Sequence, residues 1–201
     1  EVTEIPTEWT NSNVKLIVIA SDDNGAGLAS EAYSWDDGKN WTNNNIYDVT
    51  TNGTYTVNVR DNVGNISSKS ITVTNIDKTE PIITSVTGNP TEWTRNNVTL
   101  TINASDDLSG LAEQPYSFDN GATWQKENTK TYTENTNGIV IKVKDKVGNI
   151  KLLDAINITK IDKTVPTIIS VTGNPTKWTK NNVTLTINAS DDLSGLAERP
   201  Y

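Results

Sequence analysis

The sequence repeats itself almost letter for letter, and this internal repeat constrains its fold more than any other feature. The segment IDKTEPIITSVTGNPTEWTRNNVTLTINASDDLSGLAEQPY at 76–116 returns at 161–201, where six of its 41 positions differ. The period of 84 to 85 residues is the size of one small domain. We therefore expect an array of similar small domains and not one large fold.

A more diverged copy of the same unit occupies the N-terminal part of the chain. TEWTNSNVKLIVIASDDNGAGLA, which begins at residue 7, corresponds to TEWTRNNVTLTINASDDLSGLA, which begins at residue 91. VRDNVGNI at 59–66 corresponds in the same way to VKDKVGNI at 143–150. These matches predict three repeats, with boundaries at 1–76, 77–160 and 161–201, of which the last is the N-terminal half of a repeat.

Apolar residues alternate with polar ones inside each copy, as they do in strands with one buried face. Turn signals such as TGNP, DLSG and NTNG separate the alternating runs. The runs with one apolar face are Val14 to Ala20, Tyr55 to Val59, Val98 to Ala104, Ile139 to Val143 and Ile156 to Ile158. About seven short strands in a repeat of this length predict an all-β, immunoglobulin-like sandwich, and a fibronectin-like topology would give the same pattern.

The order of short motifs within each copy carries a family resemblance. DKTxP, NPTxWT, ASDDxSGL, YSxDxGxxW and DxVGN follow one another along the repeat. This order resembles the immunoglobulin-like tandem repeats of secreted or surface-anchored bacterial proteins, many of them adhesins. The resemblance covers the whole chain and implies an extracellular location. It also implies a role as a stalk, an adhesin module or a spacer beside an enzyme, because one such fold serves many functions.

Several classes of function are excluded by composition. The chain has no cysteine and no histidine, which removes disulfides, cysteine nucleophiles, zinc-finger sites and Ser-His-Asp triads. The net charge of −8 offers no basic stripe for the phosphates of a nucleic acid. No apolar run approaches the roughly 18 residues of a membrane span, so we expect no membrane insertion.

The spacing Ser-x-Asp-x-Gly-x-x-Trp occurs twice, in YSWDDGKNW at 33–41 and YSFDNGATW at 116–124. It resembles the Asp-box hairpin of sialidases and other secreted β-proteins. An aspartate in such a turn accepts hydrogen bonds from the backbone, and the glycine supplies a positive φ. We therefore predict structural hairpins, in which the indole packs inward on the return strand, and no catalysis. The residues concerned are Asp36, Gly38, Trp41, Asp119, Gly121 and Trp124.

A second group of polar residues is acidic. In an immunoglobulin-like sandwich, two of the loops lie at the same end as the start of the first strand, so these residues are expected to converge where one repeat meets the next. They are Asp77, Asp106, Asp107, Asp145 and Asn149. Hard oxygen ligands of this kind suit calcium, whereas the alternative is that they only cap turns, with Lys78 and Lys146 nearby to neutralise the carboxylates directly. Asp162, Asp191 and Asp192 begin the equivalent group in the third copy.

A tryptophan precedes the second strand of each copy, at Trp9, Trp93 and Trp178. Exposed indoles there would suit a sugar-binding platform, but we expect each one to plug the end of its own sandwich because large aromatic residues dominate core energetics.

Two functions remain open on the sequence alone. The favoured one is a non-catalytic spacer whose partners are the neighbouring repeats of the same chain. The alternative is a module that binds a glycan or the host matrix beside a secreted glycoside hydrolase, with a site in one copy only. The segment TNNNIYDVT at 42–50 differs from its counterpart in the second copy and is the place to look for such a site.

Overall fold

The computed structural model describes residues 1–3, 7–23 and 25–200. Glu4, Ile5, Pro6, Asn24 and Tyr201 lie outside the described residues. Every regular element in the described ranges is a β-strand. The strands are β1 Val2–Thr3, β2 Val14–Val18, β3 Leu28–Ser34, β4 Ile46–Val49, β5 Gly53–Asp61, β6 Ile66–Val73, β7 Ile82–Thr87, β8 Val98–Ser105, β9 Leu111–Ser117, β10 Thr129–Tyr132, β11 Thr136–Asp145, β12 Ile150–Ile158, β13 Thr167–Thr172 and β14 Thr186–Ser190.

The strands of the first repeat form two antiparallel three-stranded sheets, in the orders β1-β2-β4 and β3-β5-β6. One core joins the two sheets, because Leu16 and Val49 of the first sheet are buried in the same cluster as Val57 and Val73 of the second. The alternation predicted for β2 is confirmed, since its buried residues flank the exposed Lys15. The first repeat is therefore a small β-sandwich.

The second repeat has the same pairing order, with sheets β10-β8-β7 and β12-β11-β9. The predicted inward faces are buried in the structure, as Leu100 and Ile102 on β8 and Ile141 and Val143 on β11 show. In the third copy, β13 pairs with β14 in the way that β7 pairs with β8. The all-β class predicted from the sequence is confirmed.

Glycine is required at the TGNP turn that follows β7. Gly88 has a φ of 93°, and a Cβ there would lie 1.9 Å from the carbonyl oxygen of Thr99 on the neighbouring strand. Gly173 repeats the arrangement, with 2.1 Å to the carbonyl oxygen of Thr184. Because a side chain has no room and the backbone is left-handed, the turn closes only with glycine.

The chain divides into two compact units. One comprises Glu1–Ile83, Ala104–Pro115 and Val143–Lys151, and the other comprises Thr84–Asn103, Tyr116–Lys142 and Leu152–Tyr201. The first unit thus contains the first repeat, the start of the second repeat, and two loops of the second repeat that carry acidic residues. All five residues that the sequence predicted to converge lie within this unit.

Candidate functional site at the repeat junction

The two predicted hairpins form turns that are held by side-chain hydrogen bonds. In the second hairpin the hydroxyl of Ser117 donates to Asp119 Oδ1 (2.8 Å), and the backbone N–H of Thr123 donates to the same oxygen (2.9 Å). The Thr123 hydroxyl donates to Asp119 Oδ2, so both carboxylate oxygens are engaged by the turn. Gly121 has a φ of 89°, as predicted for the turn. Asp36 and Ser34 repeat the arrangement in the first hairpin.

The tryptophan of the hairpin lies elsewhere than expected. Trp41 is half-buried, its ring lies 3.5 Å from where a Cβ on Gly38 would be, and the Arg60 guanidinium carbon lies 4.3 Å from its ring centroid. The indole therefore packs on its own turn and under a cation, and it does not enter the core. The ring of Trp124 lies against Gly121 in the same way. The inward packing predicted from the sequence is corrected accordingly.

The hydrogen bonds of the second hairpin hold the pKa of Asp119 at about 2, below its ordinary value of 3.8. The bonds from Thr123 are the largest cause of this shift. A lowered folded-state pKa means that the stabilisation is present above about pH 4 and is lost as the pH falls towards 2. We expect the carboxyl carbon of Asp119 to titrate with a midpoint of about 2 in an NMR pH series. Thr123→Ala should move the midpoint upward, and a wild-type midpoint near 3.8 would contradict the hairpin geometry.

The junction between the first two repeats is built around the linker at Ile76 and Asp77. Thr10 pairs with Ile76 in a parallel bridge, and the N–H of Asp77 donates to the carbonyl oxygen of Thr10 (2.8 Å). The side chain of Asn52 bonds both backbone groups of Ile76, donating to its oxygen and accepting from its N–H at 2.8 Å each. The linker is thereby bound to the first repeat as a strand would be.

The side chain of Asp77 binds the second repeat. It is 0% exposed, and its Oδ1 accepts from the N–H (3.0 Å) and the hydroxyl (2.7 Å) of Thr79. Its Oδ2 accepts from the N–H of Ser109 (3.0 Å), in the loop after β8. Burial opposes ionisation of this carboxyl, but the bonds from Ser109 and Thr79 outweigh burial and leave its pKa below the ordinary value. We call the contacts of Asp77 with Thr10, Thr79 and Ser109 the junction clamp.

Two further aspartates meet Asp77. Asp106 Oδ1 accepts from the N–H of Gly110 (2.7 Å), and Asp145, which is 1% exposed, accepts the N–H of Asn149 at 2.8 Å. The amide of Asn149 donates to Asp145 Oδ2 (2.6 Å) and to the carbonyl oxygen of Asp77 (3.1 Å). One carboxylate oxygen each from Asp77, Asp106 and Asp145 lie within 4.8 Å of one another. We call these three residues the aspartate cluster.

Asp107 does not join the aspartate cluster, and its side chain is exposed. The reason is the turn at Asp106, whose carboxylate folds back over the N–H groups of Leu108 (3.2 Å) and Gly110 and leaves the next side chain facing solvent. The other four residues that the sequence predicted to converge are brought together.

The clamp recurs in the second unit. Asp162 donates its N–H to the carbonyl oxygen of Thr94 (2.9 Å), and it accepts from the N–H (2.9 Å) and hydroxyl (2.6 Å) of Thr164. Ser194 donates its N–H to Asp162 Oδ2 at 3.0 Å. Hydrogen bonds from Ser194 and Thr164 hold the pKa of Asp162 well below its ordinary range. The two clamps therefore have the same types of donor and acceptor.

Sequence reasoning missed the residues that hold the linker from the side. Asn52 and its counterpart Asn135 bind the backbone of Ile76 and Ile161, and Ser109 and Ser194 supply the N–H groups that meet the aspartates. A signal was present in the first copy only, where Asn52 stands in the triplet Thr-Asn-Gly, whereas Asn135 stands in Glu-Asn-Thr, two residues before the corresponding Asn-Gly. That triplet indicated only a turn.

The tryptophan before the second strand is not a plug. Trp93 is 37% exposed, and the Lys160 ammonium lies 4.9 Å from its ring centroid. Trp178 is exposed as well. The expectation that these rings close the sandwiches is wrong for Trp93 and Trp178. Trp93 lies in the connection between β7 and β8, which belong to one sheet, and a lysine ammonium covers one face of its ring, whereas Trp9 is half-buried.

Comparisons with known proteins identify no relative. No family model matches the sequence, and no curated protein matches it. Within residues 1–3, 7–23 and 25–200 there is no helix of sufficient length and apolar character to cross a membrane.

Proposed function

We propose that the chain is a non-catalytic spacer, a row of immunoglobulin-like repeats that extends a larger bacterial surface or secreted protein of the adhesin type. One observation carries the proposal: the same clamp forms at both linkers. Asp77 and Asp162 stand 85 residues apart and make the same set of hydrogen bonds. A spacer requires a junction that is copied together with the domain, and here the junction is part of the repeat.

The direct contacts between the first two repeats support the same function. Asn11 of the first repeat donates to the carbonyl oxygen of Val147 in the second (2.8 Å), and Lys78 in the linker donates to Asn13 (2.5 Å). Within the second repeat, Lys151 and Glu80 form an ion pair at 3.1 Å next to the linker. These bonds restrict how far the linker can swing. Length is then gained by adding repeats without adding a flexible hinge.

The segment at 42–50, which differs between the first two repeats, is used for packing. This favours the spacer over the binding module. Tyr47 stacks on Trp35, with ring centroids 4.7 Å apart and planes 21° apart. Tyr55 contacts Tyr47 at 5.8 Å, and all three rings pack against the core of the first sandwich. These three aromatic residues of the first repeat are therefore engaged inside the domain, whereas Trp93 and Trp178 are exposed.

The spacer requires an ordered linker, which NMR relaxation measures directly. We expect backbone order parameters for residues 75–80 of about 0.85, equal to those of the strands in the first repeat. Values below about 0.6 would mean a flexible hinge and would contradict the proposal. A glycan array and a host-matrix binding screen with the whole chain serve as the comparison, because saturable binding there would support the binding module instead.

A further inference from the structure

The aspartate cluster brings three carboxylates together beside Lys146, whose ammonium lies 3.5 Å from where a Cβ on Gly110 would be. Asp77 and Asp145 are almost fully buried, and the hydrogen bonds that reach the three carboxylates come from backbone N–H groups, a threonine hydroxyl and an asparagine amide. Buried charges of one sign this close together call for a compensating cation.

A second feature points to the same place. The hydroxyl of Ser109 is buried, the residue is 2% exposed, and no hydrogen-bond partner meets its oxygen. Ser109 donates its backbone N–H to Asp77, so its hydroxyl belongs to a residue that is already bound to the cluster. An unpartnered polar atom in a buried polar site is unfavourable unless a further ligand completes its bonding.

The geometry leaves room for coordination. The turns engage Oδ1 of Asp106 and Oδ1 of Asp145, and Oδ2 of Asp77 accepts a single N–H. Oxygens bound to one calcium ion at 2.3–2.6 Å lie at most about 5 Å apart, and the three carboxylates meet this limit at 4.8 Å.

We propose that Asp77, Asp106 and Asp145, together with the hydroxyl of Ser109, bind a hard divalent cation of the size of calcium. This inference rests on the junction described under the proposed function and adds a regulator to it. The four ligand groups come from the linker, from the loop after β8 and from the end of β11, so an ion bound there would tie these segments together. Calcium suits the site because it accepts irregular sets of carboxylate oxygens, whereas magnesium demands a nearly octahedral set.

The test is a calorimetric titration of the metal-free whole chain with calcium chloride, and with magnesium chloride in parallel. We expect one calcium ion per chain, with a dissociation constant at or below about 1 mM, and weaker binding of magnesium. Asp106→Asn keeps the oxygen that accepts the turn bonds but removes a charge, and it should weaken calcium binding at least about tenfold.

Two matched variants control for charge and local sequence. Asp107→Asn removes the neighbouring exposed charge, and Asp191→Asn makes the same change in the identical sequence of the third copy, where Asp145 has no counterpart in this chain. Both should bind calcium as the wild type does. Equal weakening in all three variants, equal affinity for magnesium, or no binding up to about 10 mM calcium would each overturn the proposal.

Amide spectra of the wild type give a second measurement that does not depend on a variant. Calcium should shift the amides of Ser109, Gly110 and Asn149, and shifts confined to other regions would overturn the site. The metal-free order parameters of residues 75–80 separate the two proposals. If the linker is ordered in the metal-free protein and calcium does not bind, the cation site alone is overturned. If the linker is disordered in the metal-free protein, the spacer is overturned.

Discussion

Replacing Leu100 by alanine is expected to lower the free energy of unfolding of the second repeat by about 2–5 kcal/mol. Leu100 is 0% exposed and lies on the central strand of the β10-β8-β7 sheet, opposite Lys130. Removing its side chain loses the buried apolar surface and leaves a cavity that the two neighbouring strands cannot close. Urea denaturation followed by amide exchange in β11 reports the change for this repeat alone.

The third copy supplies a control with the same local sequence. Leu185 lies in the identical segment NNVTLTINAS but is 56% exposed. Leu185→Ala should therefore change stability by less than about 0.5 kcal/mol. If the two substitutions lowered the free energy of unfolding equally, the neighbouring strands would not bury Leu100. The core of the second repeat would then be wrong.

This pair shows what sequence reasoning reaches in the fold. Alternation predicted the inward face of β8 correctly, because the period of a strand is a local property. It predicts the same inward face for Val183 and Leu185, which are nevertheless exposed. Whether an apolar face is covered depends on strands that are distant in sequence, so identical letters have different surroundings.

At the candidate site, too, the sequence predicted some features and missed others. Convergence of Asp77, Asp106 and Asp145 followed from the expected ends of the sandwich, and the cluster has formed. The sequence could not distinguish Asp106 from Asp107, since the choice depends on the backbone turn at Gly110. It also missed Ser109 and Asn52, because their roles arise from contacts with a linker that is remote along the chain.

Asp77→Ala is expected to loosen the junction and to cost about 1–3 kcal/mol of local stability. The substitution leaves the buried N–H of Ser109 and the groups of Thr79 without their acceptor. The largest part of this cost comes from Ser109, because its buried N–H cannot turn to water, whereas Thr79 is exposed. Hydrogen exchange at the amide of Ser109 should be faster than in the wild type.

Two variants separate the clamp from its surroundings. Ser109→Ala removes the hydroxyl but keeps the N–H that Asp77 accepts, so exchange at position 109 should stay close to that of the wild type. Asp162→Ala makes the same change at the second clamp, and it should speed exchange at Ser194 without affecting Ser109. Unchanged exchange at both serines in their respective aspartate variants would show that the clamp hydrogen bonds do not hold the loops.

If the clamp fixes the linker, the distance between the two repeats that the linker joins has a narrow distribution. Spin labels at the exposed positions Lys15 on β2 and Glu113 on β9 lie in the same compact unit, on the two repeats that the linker joins. Double electron–electron resonance should give one narrow distance peak for otherwise wild-type protein and a broader distribution when Asp77→Ala is added. A wild-type distribution as broad as that of the Asp77→Ala protein would contradict the account.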